Sequence, residues 1–445
     1  MKKLGLALIG ILMVIFTFLS LTSCGGDETP SSTPSGSSTV GSANGDNPRD
    51  ENEPVNLMAG YEKGNIIGLE RDGDFASNQW RLAMELFKGV NASGDTSNVL
   101  ISPLSIQLAL AMTANGAKGQ TGDEMTAILG GEYTLESLNE YLLDYVENLP
   151  TDEKYKLEIA NSIWFNKYAI TPYDEFLQIN KTYYDSEMYA AKFDASTLNA
   201  INDWVSEKTN GMVKDILSEL KEEDIMCLIN AIAFDGEWQE KYTDMSVEEG
   251  VFTKEDGTEK TVEMMNSTEH YYIVAGNGVG FKKHYAQNKY SFVALLPNEG
   301  VSVDEYIAGL DASELLAAIG NPDTQKRVIA SMPKFSYNYE IELSEVLPAL
   351  GMGTAFDPEN ADFSSMGITE VPLVLEMVLH KTAISVDTAG TKAGAATAVM
   401  PAPSAPPSGV TIEEVYVTLD RPFVYMIVDE TSNTPVFIGT LESVE

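Results

Sequence analysis

Apolar positions along this chain recur with two periods. Trp80, Ala83, Met84 and Phe87 return every three to four residues and predict an amphipathic helix. At Ser102-Pro103 the chain offers a capping oxygen followed by a residue pre-set for the first helical turn. A helix is expected from there to Ala114, apolar on all sides and so buried, with Gly116 placed to close it. Thr121-Gly-Asp-Glu124 reads as a capping box opening another helix, and residues 202–217 read helical with a break at Gly211. Other stretches show the period of strands. Residues 225–234 are almost wholly apolar, which predicts a strand covered on both faces. Residues 290–296 form another, ended by Pro297, and 424–428 with 436–440 flank a hairpin turn region at 429–435. Helices and strands alternate irregularly, so an α+β fold is expected.

The first residues obey a different pattern. Lys2 and Lys3 precede a nearly unbroken apolar run over 4–21, as in a signal peptide. About 18 apolar residues can just span a bilayer, so a membrane helix is the competing reading. The next four residues decide between them: Leu21-Thr22-Ser23-Cys24 resembles the bacterial lipobox. That resemblance implies acylation at Cys24 and anchoring through lipid rather than through a protein span. Residues 25–65 are rich in Ser, Gly, Pro, Thr and acidic residues without apolar periodicity. The expected organisation is a signal peptide over 1–23, a flexible tether over 24–65, and one globular body over 66–445. The expected location is exported and lipid-anchored to the cell membrane or surface, facing the extracellular or periplasmic side.

Charge and reactive residues narrow the function. With 28 basic against 67 acidic residues the net charge is -39, and no long basic run exists. Nucleic acid is excluded as a partner, and a heparin-type polyanion cofactor is not expected. The two cysteines, Cys24 and Cys227, exclude a disulfide framework. Cys227 lies in the apolar 225–234 run without a CxxC or a nearby His, so it reads as a small core residue. The three histidines are His270, His284 and His380, and no HExxH, GxSxG or P-loop occurs. Gly276-Asn-Gly278-Val-Gly280 lacks the spacing of a dinucleotide fingerprint and reads as a turn. No enzyme activity, cofactor or metal is expected.

Ordered blocks then carry a resemblance. They are Asn98-Val-Leu-Ile-Ser102-Pro103-Leu-Ser105, Asn115-Gly116-Ala117, Leu228-Ile-Asn230-Ala231-Ile-Ala-Phe234-Asp-Gly236-Glu-Trp238, Met332-Pro333-Lys334-Phe335, Ala361-Asp362-Phe363-Ser364 and Asp420-Arg421-Pro422-Phe423. On these the chain is identified as a member of the serpin family, over roughly residues 75–444. The resemblance implies three β-sheets with about eight or nine helices and an exposed reactive-centre loop, here about 388–415. It implies a suicide substrate for serine-type proteases. A protease cleaves the loop and becomes acylated in a covalent 1:1 complex; the loop inserts as a new strand and distorts the enzyme. Gly390, Thr391, Ala393, Gly394, Ala395, Ala396 and Thr397 are similar to the hinge of inhibitory members. At strand period Thr391, Ala393, Ala395, Thr397 and Val399 share one face, small or β-branched and uncharged, fit for burial. By resemblance Ser102, Ser105, Asn230 and His380 form the shutter cluster under the sheet, and Trp238 and Lys334 belong to the breach where the hinge enters. Thr388 departs from the family's acidic residue, so its ion pair with Lys334 cannot form and the breach is looser or held otherwise.

Residue order leaves the cleavage site open. Counting on from the hinge places the scissile bond at Ser404-Ala405, whereas counting back from Pro422 places it at Thr411. The loop is therefore lengthened. Pro401, Pro403, Pro406 and Pro407 stiffen it and end ladder pairing near Pro401. No Lys or Arg lies between Ala393 and Glu413, so elastase-like or subtilisin-like targets are expected rather than trypsin-like ones. A cut at Pro403-Ser404 is the alternative bond. The competing function is a non-inhibitory serpin acting as a surface binding or protective lipoprotein. A monomer is expected.

Overall fold

A computed structural model describes residues 53–92, 98–391 and 412–444. The strands form a seven-stranded, a six-stranded, a four-stranded and a two-stranded sheet. The large sheet runs in the order Val55–Asn56, Glu187–Ala191, Tyr155–Asn166, Met226–Glu237, Gly390–Thr391, Val378–Val386, Phe335–Glu342. The six-stranded sheet contains the hairpin Phe423–Asp429 and Thr434–Leu441 beside Tyr290–Pro297 and Gly278–His284. The four-stranded sheet places Glu413–Thr418, the strand that resumes after the loop, parallel to Lys326–Pro333.

The central strand Met226–Glu237 alternates between two cores, as its unbroken apolar sequence requires. Leu228, Ile232 and Phe234 face the main core. Cys227, Ile229 and Ala231 face a second cluster built on Trp164, Ile201, Trp204 and Val205, under the Ala195–Lys208 helix. The Pro103–Ala114 helix is buried at every position, with the Ser102 hydroxyl accepting from the Ser105 N–H at its start. The Gly73–Asn91 helix buries Trp80, Ala83, Met84 and Phe87 on one stripe.

Four local expectations change. The globular body reaches back past residue 66: Val55 and Asn56 pair with Ala190 and Tyr189, and the Tyr61 hydroxyl donates to Asp174. No capping box opens at Thr121. The helix is Gly119–Gly130, and Thr121 and Glu124 spend their oxygens on the N–H groups of Asp362 and Thr354 instead. The Pro103–Ala114 helix closes on Asn115 rather than on a left-handed Gly116. The helix expected over 202–217 is Ala195–Lys208, because Asn210 and Gly211 adopt positive φ and turn the chain across the sheet. Among the described residues no helix is long and apolar enough to cross a membrane.

Candidate functional site

The Val378–Val386 strand ends in a turn built by Asp387. Its carboxylate accepts the N–H groups of Ala389 at 2.7 Å and Gly390 at 3.2 Å, and its own N–H donates to the Gly390 carbonyl at 3.0 Å. The chain thereby folds back, and Gly390–Thr391 enters the large sheet between Met226–Glu237 and Val378–Val386, antiparallel to both. A Cβ at position 390 would lie 2.0 Å from the Gly236 carbonyl oxygen, so only glycine fits this approach. Three carbonyls of the turn are fastened from the far side. The Trp238 indole N–H donates to Asp387 at 2.8 Å, the Trp238 backbone N–H to Ala389 at 2.9 Å, and the Tyr242 N–H to Thr388 at 3.0 Å. The Trp238 ring stacks on Tyr285 at 4.5 Å, and the Tyr285 and Thr391 hydroxyls share a hydrogen bond of 2.5 Å. Lys283 lies over the Tyr242 and Trp238 rings while pairing with Glu269 at 2.8 Å, with little of either side chain exposed.

Below Thr391 the two flanking strands part company. They pair again, in parallel, only at 378–381 with 228–231, so no ladder joins 232–235 to 382–385. That lower closure sets His380 directly opposite Asn230. The Ser102 backbone N–H donates to His380 Nε2 at 3.0 Å, which leaves Nε2 without a proton. The Nδ1–H of His380 therefore donates to Asn230 Oδ1 at 2.7 Å. Of the two Nδ2 hydrogens of Asn230, one in turn serves Asn161 Oδ1 at 2.7 Å and the other is shared between the Ser105 carbonyl and the Ser105 hydroxyl at 2.6 Å. Burial drops the His380 pKa to about 3, so the ring stays neutral. Nearby, the Thr382 hydroxyl donates to the Leu100 carbonyl at 2.8 Å.

Ser102, Ser105, Asn230 and His380 thus meet in one network, and Gly390, Thr391 and Trp238 meet in another. Lys334 joins neither: it pairs with Glu263 at 3.1 Å on an exposed surface. With Thr388 in place of an acid, the turn is held by its carbonyls and by Asp387 rather than by that ion pair. Cys24, Ala393, Gly394, Ala395, Ala396, Thr397, Pro403, Ser404 and Ala405 lie outside the described residues. Sequence reasoning did not find Tyr285, Tyr242, Lys283, Asp387 or Asn161. Each sits in an ordinary strand or turn context, and only the pairing of distant strands brings it to the site. Among the described residues no group of His, Cys, Asp and Glu could hold a metal ion.

Known proteins share this architecture. The family model described as Serpin (serine protease inhibitor) matches residues 77–444. An uncharacterised serpin-like protein of Thermococcus kodakarensis is 31% identical over 365 residues, covering 78% of this chain and 81% of that protein. The structure of a thermophilic serpin, tengpin, in the native state matches at TM-score 0.83 and 46% identity, covering 88% of this chain and all (100%) of that one. The same serpin in the latent state matches at TM-score 0.75 and 45% identity, covering 85% and 100%.

Proposed function

The chain belongs to the serpin family, and on that premise we propose that it inhibits serine-type proteases as a suicide substrate. One observation carries this reading. The two middle strands of the large sheet are not paired with each other over 232–235 and 382–385, and the hinge already occupies the open end between them. A protease serine oxygen attacks the Ser404 carbonyl carbon, the amide to Ala405 breaks, and the freed amine takes a proton. The acyl ester then stays attached to a strand free to continue into the sheet. Pro403-Ser404 is the second choice of bond.

Full entry requires the lower closure to open. Adding a strand moves its neighbours from about 4.8 Å to about twice that separation. The His380–Asn230 bond then breaks, so this network acts as the barrier that holds the uncleaved form. The segment crossing the sheet also has to yield, since Lys381 donates to the Asp215 carbonyl at 2.8 Å. The protein acts as an inhibitor rather than a catalyst, without metal or cofactor. The sequence around Cys24 supports a lipid anchor and an exported location; loss of membrane attachment in Cys24→Ala tests it.

Incubation with an elastase-like or subtilisin-like protease is the test. An SDS-resistant band at the summed mass is expected, with a released peptide beginning at Ala405 by intact mass. Cleavage without that band overturns inhibition and favours a non-inhibitory surface protein.

A further inference from the structure

In an inhibitor of this kind insertion races hydrolysis of the acyl link, and a part for the hinge in that race rests on the inhibitory reading. The uncleaved chain has already taken the first step, because Gly390 and Thr391 stand in the large sheet. The interactions keeping them there divide by atom. The ladder to Gly236 and Glu237 uses backbone groups that any residue at 391 would offer. The side chain adds one interaction that depends on its chemistry, the hydrogen bond between the Thr391 and Tyr285 hydroxyls. Thr391 is 2% exposed and Tyr285 fully buried, so breaking the bond leaves a hydroxyl with no water to replace its partner. Burial raises the Tyr285 pKa well above its ordinary value, which keeps the phenol protonated.

Tyr285 is itself held still. Its ring lies 12° from parallel to Trp238 and edge-on to Phe234 at 4.9 Å, and its N–H donates to the Tyr290 carbonyl at 2.9 Å. It cannot move outward with the hinge. We infer that Tyr285 is a positioning residue that docks Thr391 in the sheet before any protease arrives. Insertion then extends a strand already begun, and the entropy of ordering its first residues is spent before acylation. The same bond selects the residue at 391: serine retains the hydroxyl, whereas valine matches the shape without it.

Two readouts on the full chain test this. Tyr285→Phe keeps the stacked ring and removes only its oxygen; Thr391→Val and Thr391→Ser remove and keep the partner. Hydrogen exchange of amides 387–391 in uncleaved protein should quicken about tenfold in Tyr285→Phe and in Thr391→Val, and no further in the double variant. Thr391→Ser should exchange like wild type. The number of inhibitor molecules consumed per subtilisin inactivated should rise in the first two variants and not in Thr391→Ser. Unchanged exchange in Tyr285→Phe, or additive effects in the double variant, overturns the docking role. If wild type makes no SDS-resistant complex, the inhibitor reading fails by itself, and exchange still decides the docking. If Tyr285→Phe does not fold, Thr391→Val against Thr391→Ser decides it.

Discussion

At the scale of single residues, His380 shows how a neutral buried imidazole ties stability to pH. Its pKa is about 3 in the folded chain against 6.5 for an ordinary histidine. The unfolded chain therefore binds more protons between those values, and stability falls as pH falls. The contribution is complete above pH 6.5 and is lost progressively down to about 3. Protonating Nε2 would also set two donors, Ser102 N–H and imidazolium N–H, against each other. The gap in urea midpoint between wild type and His380→Gln should accordingly be widest near pH 7 and shrink toward pH 3. A gap constant over that range would show that His380 acts only through packing. Lys283 obeys a different rule. Its removal leaves the largely buried Glu269 carboxylate without its cation, so Lys283→Ala should cost about 3–5 kcal/mol, read as a lowered urea midpoint.

At the scale of elements, the register of the hinge fixes where each later residue would arrive. Thr391 stands opposite Gly236 on one side and Val386 on the other. Each further inserted residue steps back by one on both strands. Thr397 would therefore come between Asn230 and His380, the pair that insertion would separate. Its hydroxyl can accept from His380 and donate to Asn230, restoring both groups. Thr397→Val should leave the uncleaved midpoint unchanged and lower the stability of the loop-cleaved protein by about 1–3 kcal/mol. The same alternation points Thr391 inward, where a guanidinium would be buried without a partner. Thr391→Arg should convert the inhibitor into a substrate; retained stoichiometry of inhibition would refute insertion.

At the scale of the whole molecule, the inhibitory reading makes a sheet open at one end and closed at the other a chain short of its deepest minimum. Inserting roughly ten residues at about 1 kcal/mol of net hydrogen bonding each gives a driving force on the order of 10 kcal/mol. That would rival the full stability of an ordinary domain, and on the inhibitory reading the uncleaved form would persist by a kinetic barrier. Limited cleavage within 399–411 should raise the thermal midpoint well above that of intact protein. An unchanged midpoint on calorimetry would mean that the loop does not enter the sheet.

Several of these features are legible in residue order alone. The helix at Ser102-Pro103, the doubly covered strand near 225–234 and the carboxy-terminal hairpin arise from caps, period and turn residues, which act over a few positions. The resemblance points to Ser102, Ser105, Asn230, His380, Gly390 and Trp238 from residue order. The end of the helix near 208, the strand at 55–56 and the pairing of Lys334 with Glu263 were not legible, because each depends on which distant surface the segment meets. Nor was Tyr285: a tyrosine closing a strand carries no mark that its hydroxyl will meet Thr391, 106 positions on. Residue order was enough for the family, for the helix at Ser102-Pro103, for the doubly covered strand and for the carboxy-terminal hairpin, since these rest on local propensity and side-chain type. Folding alone set Gly390 and Thr391 in the sheet and His380 opposite Asn230 across the closure. Both depend on strand register, which is set by packing between segments far apart in the chain.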